Sequence, residues 1–143
     1  MKITRQMYDE IISQTSDFYK ETGGIIGGNN GVISIQMFDT GSESDCMCRY
    51  TPSTKILNDT IKHWQESELE FMGLYHTHFH SVSTLSDSDR ECIKQILINM
   101  PSSITTLFFP VVVLPDKTIV SYKASYNNQL RELAITEDDI VIV

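Results

Sequence analysis

Apolar residues recur along this chain with two different periods. Across residues 4–19, Met7, Tyr8, Ile11, Ile12 and Phe18 fall on helical spacing behind Thr4, whose hydroxyl can cap a helix. Residues 24–27 and 32–38 are short apolar or alternating runs separated by Gly28-Asn29-Asn30-Gly31. Asn and Gly tolerate positive φ, so this pattern predicts a hairpin. Residues 39–45 are polar and read as a loop, and residues 46–50 as a short strand. Pro52-Ser53 introduces a second helix over residues 54–67, with Leu57, Ile61 and Trp64 on one face. The run Phe71-Met72-Gly73-Leu74-Tyr75 is continuously apolar and predicts a buried central strand. A loop over 79–85 leads to a third helix over 86–99, stopped by Pro101.

Further along, residues 105–109 and 111–114 read as strand, with Pro110 forcing a kink or an edge position. Pro115-Asp116-Lys117 is a turn, and residues 118–124 pair back as a hairpin strand. The remainder to Val143 is expected to be looser and to end in an edge strand, Ile140-Val141-Ile142-Val143. Helices and strands interleave, with hairpins towards both ends. The expected fold class is therefore α/β, a mixed sheet flanked by helices.

Composition narrows the function classes. The 143 residues have the size of one ordinary domain, and no repeat or Pro/Gly/Ser linker divides them, so residues 1–143 are expected to form a single unit. Nineteen acids against eleven Lys and Arg give a formal charge of -8. No cationic run exists to grip phosphates, which disfavours nucleic acid and anionic membrane surfaces as partners. No stretch approaches the roughly 20 apolar residues of a membrane span, and no apolar segment follows the first charges as in a signal peptide. Cys46, Cys48 and Cys92 are too few for a disulfide framework, and a cytoplasmic setting is expected.

The chemistry is concentrated in one segment, His76-Thr77-His78-Phe79-His80-Ser81-Val82-Ser83-Thr84-Leu85-Ser86-Asp87-Ser88-Asp89. On an extended strand residues i and i+2 share a face, so His76 and His78 can meet one metal ion at about 2.0–2.1 Å. Asp89, in the first turn of the next helix, offers a carboxylate as a third ligand. Two His and one carboxylate leave a position for water, as in catalytic zinc sites. The plainer reading is that Ser86-x-x-Asp89 is only a capping box. That reading leaves the His pair unexplained.

His76-x-His78, seven residues, Ser86, two residues, Asp89 resembles the H-x-H-x7-S-x2-D signature of the JAMM (MPN+) metalloproteases. Glu21-Thr22-Gly23-Gly24-Ile25-Ile26-Gly27-Gly28 is similar to the family's upstream glutamate and the small residues that follow it. The likeness covers residues 21–89 by motif and the whole chain by length and element order. Two departures are visible: Phe79 stands where proline usually follows the second His, and the loop holds an additional His80.

The resemblance implies a minimal, prokaryotic-type JAB/MPN domain with a three-layer, cytidine-deaminase-like architecture. It implies one Zn2+ on His76, His78 and Asp89, Glu21 as general base, and Ser86 as hydrogen-bond donor to the oxyanion. The implied reaction is hydrolysis of an amide or isopeptide bond at the C-terminus of a ubiquitin-like protein, by deconjugation or by trimming of a precursor or sulfur carrier. The loop over 39–52 and the second helix lie where the family contacts its modifier. Genes for activating (E1-like) and conjugating (E2-like) enzymes are expected nearby if deconjugation is the role. The alternatives are a metal-free MPN scaffold, or a zinc amidohydrolase acting on a small molecule. His80 reads as an exposed loop residue or a donor beside the metal ligands. Cys46-x-Cys48 reads as a pair of ordinary strand thiols, and Trp64 as core.

Overall fold

The computed structural model describes residues 1–41 and 50–143. Its elements run β1 (Lys2–Ile3), α1 (Arg5–Thr15), β2 (Gly23–Asn29), β3 (Val32–Asp39), α2 (Thr54–Glu66), β4 (Glu70–His78), α3 (Asp87–Ile98), β5 (Thr106–Phe108), β6 (Val111–Val113), β7 (Thr118–Asn127), β8 (Glu132–Asp138) and β9 (Val141–Ile142). The strands form one mixed sheet. β2 is antiparallel to both β3 and β4, β4 is parallel to β5 and β6, and β7 is antiparallel to β5, β6 and β8. At the other side, β1 lies parallel between β3 and β9.

Three layers follow from which residues are buried together. Trp64 of α2 and Ile93 and Leu97 of α3 pack with Ile25, Phe71, Leu74, Val111 and Val113 on one sheet face. Met7 and Ile11 of α1 pack with Ile26, Met72, Tyr75 and Val112 on the opposite face. Each helix begins at a hydroxyl side chain that accepts a backbone N–H: Thr4 from Met7, Ser53 from Ile56 and Ser86 from Asp89. The β2–β3 turn is tight, with Asn30 and Gly31 at φ 52° and 73°.

Faces do not alternate regularly along β4. Ile26 pairs with Gly73, but Gly27 pairs with Phe71, so Met72 is an extra residue in a β-bulge. Phe71 faces α2 and α3, Met72 faces α1, and after Gly73 it is Leu74 that returns to the α2/α3 side. His76 and His78 follow in step with Leu74. A side-chain period of two means that one additional residue reverses every later position. The bulge therefore turns both imidazoles towards α3. Gly73 is what permits it: its φ is 143°, and a Cβ there would lie 1.8 Å from the Phe108 carbonyl oxygen.

Several expectations need correction. α1 ends at Thr15, not at residue 19. Thr15 and Ser16 turn their hydroxyls back onto the Ile11 and Ile12 carbonyls, and Phe18 leaves the helical track to pack on Phe38 with ring centroids 5.3 Å apart. Asp39 closes β3 and does not begin a loop. Tyr50 is not in a strand, and the rest of the strand expected over 46–50, with Cys46 and Cys48, lies outside the described residues. Of the two positions open to Pro110, a kink or an edge, the structure shows the kink. It breaks one interior strand into β5 and β6, both of which lie between β4 and β7. The last segment is not loose: β7 runs on to Asn127, and β8 and β9 join the sheet.

Candidate metal centre

The two imidazoles arrive on consecutive outward positions of β4, beyond the bulge. Their backbone is fixed from both sides. His76 N–H donates to the Pro110 carbonyl at 3.1 Å, the carbonyl that the strand break exposes, and the His78 carbonyl accepts the Leu114 N–H at 2.8 Å. Between them Thr77 points to the other face and is fully buried. It bonds Thr22 three times: Thr77 N–H donates to the Thr22 carbonyl at 2.9 Å, its hydroxyl donates to the same oxygen at 3.3 Å, and it accepts Thr22 N–H at 2.9 Å. The segment carrying Glu21 is thereby stitched to the His-bearing strand.

The His76 and His78 Nε2 atoms lie 2.9 Å apart. The Asp89 oxygens lie 3.3 Å from the first and 3.2 Å from the second. Three ligand atoms bound tetrahedrally at 2.0–2.1 Å would be separated by about 3.3 Å, so this donor set fits a zinc-sized ion. All three side chains are largely buried, with 8–16% of their surface accessible. His76, His78 and Asp89 are thus the residues that could hold a metal ion, and their donor atoms alone do not select zinc over other divalent ions.

Asp89 serves the helix as well as the cluster. Ser86 N–H donates to Asp89 Oδ2 at 2.8 Å, and Asp89 N–H donates to Ser86 Oγ at 3.1 Å, a complete capping box. The capping and ligand readings of the motif therefore coexist. Accepting that amide leaves the Ser86 hydroxyl proton to donate elsewhere. Burial works against the Asp89 carboxylate, but the His76 and His78 rings and the Ser86 amide hold its pKa far below the usual range. Burial also works against a charged His78. There the hydrogen bond and charge of Asp89 prevail and raise His78 above its ordinary 6.5.

Glu21 is not within the three-ligand cluster. It lies in the irregular segment before β2 and, with His78, Phe79, Ser86 and Asp89, lines a cavity of about 820 Å³. Its carboxylate accepts the Tyr50 N–H at 3.1 Å. Burial raises its pKa above the ordinary carboxylate value, against the opposing pull of His78 and His76. His80 lines the same cavity from a strained turn, with His80 and Ser81 at φ 58° and 59°. Ser81 anchors that turn through its N–H to the Leu114 carbonyl at 3.0 Å and its hydroxyl to Asp116 at 2.8 Å. Trp64 is core, as expected.

Sequence reasoning overlooked Tyr50 and Asp39, which support Glu21 from the side of residue 50. The available signal was Asp39-Thr40-Gly41, an Asx-turn pattern in which Asp39 Oδ1 accepts the Gly41 N–H at 2.9 Å.

Solved structures resemble this fold at low sequence identity. Protein DSY2949 from Desulfitobacterium hafniense aligns with a TM-score of 0.67 and 13% identity, over 99% of this chain and 92% of its own. The Archaeoglobus fulgidus JAB1/MPN domain protein AF2198 aligns with a TM-score of 0.56 and 14% identity, over 100% of this chain and 99% of its own. No curated protein matches the sequence. Among the described residues, no helix is long and apolar enough to cross a membrane. The profile of prokaryotic homologs of the JAB domain matches residues 4–125, most of the three-layer fold and every residue of the centre, and the chain belongs to that family.

Proposed function

We propose that this protein is a zinc-dependent peptidase that hydrolyses the amide or isopeptide bond following the C-terminus of a ubiquitin-like protein, either to release a conjugate or to trim a precursor or sulfur carrier. The observation that carries this reading is the convergence of two imidazoles and a carboxylate, with 2.9–3.3 Å between ligand atoms, of which His78 and Asp89 line a cavity together with Glu21 and Ser86.

His76, His78 and Asp89 would hold the zinc ion, which would supply a Lewis acid able to bring the pKa of water to about 7. Glu21 accepts a proton from the attacking water and returns it to the leaving nitrogen. The Ser86 hydroxyl donates to the oxygen on which charge develops, and losing such a donor costs about 3–4 kcal/mol of transition-state stabilisation.

The test joins metal content to turnover. Zinc per chain is measured by elemental analysis, and a panel of ubiquitin-like proteins with C-terminal extensions is assayed beside small amide metabolites. The expected result is one zinc per chain, lost in His76→Ala, and cleavage of a protein substrate abolished in Glu21→Gln with zinc retained. A folded wild type without metal would favour a scaffold. Turnover of small amides alone would favour a different amidohydrolase.

A further inference from the structure

Asp39 is a buried carboxylate, 4% exposed, remote in sequence from the metal ligands. Its Oδ1 accepts the Gly41 N–H at 2.9 Å, and its Oδ2 accepts the Ser53 N–H at 2.9 Å and the Tyr50 hydroxyl at 3.2 Å. Tyr50 is itself buried, and its ring lies so close over Gly23 that a Cβ there would come within 2.6 Å of it. Gly23 begins β2, two residues after Glu21. From the other end of the same residue, the Tyr50 N–H donates to Glu21 Oε2 at 3.1 Å. One residue thus links two carboxylates, its phenol held by one and its amide aimed at the other.

Glu21 needs such help. Its backbone is anchored through Thr22 and Thr77, but its side chain rises from a segment outside any helix or strand. A displacement of about 1 Å in a reacting group can cost about 100-fold in rate. We propose that Asp39 is a positioning residue for the hydrolysis: by holding the Tyr50 phenol it sets the Tyr50 amide against the Glu21 carboxylate and keeps that carboxylate aimed at the metal centre. This rests on the reading of Glu21 as general base.

Tyr50→Phe isolates the link. It removes the phenol's bond to Asp39 and leaves the ring, the residue-50 amide and both backbone bonds to Asp39. In the zinc-loaded protein, assayed on the panel substrate cleaved fastest, kcat is expected to fall about tenfold or more with KM within about twofold. Zinc content stays unchanged. Asp39→Ala does the same, and Asp39→Asn recovers only part of the loss: its carbonyl can accept the phenol and the Ser53 N–H, but its NH2 then faces the Gly41 N–H. A second readout needs no turnover. In the metal-free protein, exchange of the residue-50 amide hydrogen accelerates about tenfold or more in both Tyr50→Phe and Glu21→Ala, the second because it removes the acceptor.

A merely structural Asp39 would lower the thermal midpoint and leave kcat at 25 °C and amide exchange as in wild type, which would overturn the proposal. Glu21→Gln separates the two failures. If it retains turnover, the reading of Glu21 falls and the inference with it. If it is inactive while Tyr50→Phe and Asp39→Ala keep full kcat, the inference alone falls. Should Asp39→Ala fail to fold, the Tyr50→Phe results decide.

Discussion

The Asp89 carboxylate accepts the Ser86 amide while lying against both imidazoles, and two substitutions can separate those roles. Asn at this position keeps an acceptor for the helix cap but loses the charge. Ala loses both. Metal-free Asp89→Ala is expected to be less stable than Asp89→Asn by about 1 kcal/mol, the usual net worth of one hydrogen bond, in urea denaturation followed by circular dichroism. Both variants are expected to lose the metal in elemental analysis. Equal stability of the two would show that the bond from the Ser86 amide to residue 89 contributes nothing. At this scale the sequence was informative because the ligand types are few and their spacing is short. Glu21 is different: nothing local marks it, and only the resemblance of residues 21–28 to a family pattern singled it out.

Among the elements, β4 decides whether the centre can assemble. Gly73 sits at a φ of 143° with the Phe108 carbonyl oxygen 1.8 Å from where a Cβ would be. Gly73→Ala must therefore displace backbone, at a cost on the order of 3 kcal/mol or more, or move the bulge and mis-aim the imidazoles. The expected outcome is a lower urea midpoint or little soluble protein, with zinc retention impaired in whatever folds. A variant as stable as wild type that binds zinc normally would contradict this account. The bulge was not legible because residues 71–75 are all apolar or Gly, so no alternation records which face each residue takes. β8 escaped for a related reason. Only Leu133 and Ile135 pack on the core, among charged neighbours that read as loop. The helices were clearer, since their hydroxyl caps and 3.6-residue apolar stripes leave few alternatives.

For the molecule as a whole, the centre ties folding to pH with a sign that depends on metal. His78 titrates above its ordinary 6.5 in the folded metal-free protein, so its contribution is complete below 6.5 and is lost as pH rises through the raised value. Asp89 titrates below its ordinary 3.8, so its contribution is present above 3.8 and is lost as pH falls further. Together they favour the metal-free fold between those limits. Metal binding needs proton-free imidazoles, so stabilisation by zinc grows as pH rises through the same range. Thermal midpoints from pH 5 to 8, with a chelator or with one equivalent of zinc, should show a gap that widens with pH. A gap independent of pH would mean that these rings are not the ligands.

The pairing of β1 with β9 bears on how the chain can be rewired. Val141 N–H donates to the Met1 carbonyl at 2.8 Å and Val143 N–H to the Ile3 carbonyl at 3.0 Å, so residues 1–3 and 141–143 run side by side at the rim of the sheet. Across β2, β3 and β1, that rim is four strand spacings from β4, about 19 Å from the imidazole-bearing strand. A short tether could join Val143 to Met1, and a new opening at Asn30-Gly31 would yield a circular permutant in which β4 and α3, which carry the His-His-Asp cluster, are untouched. Fusion partners appended at either end would likewise sit clear of the cleft.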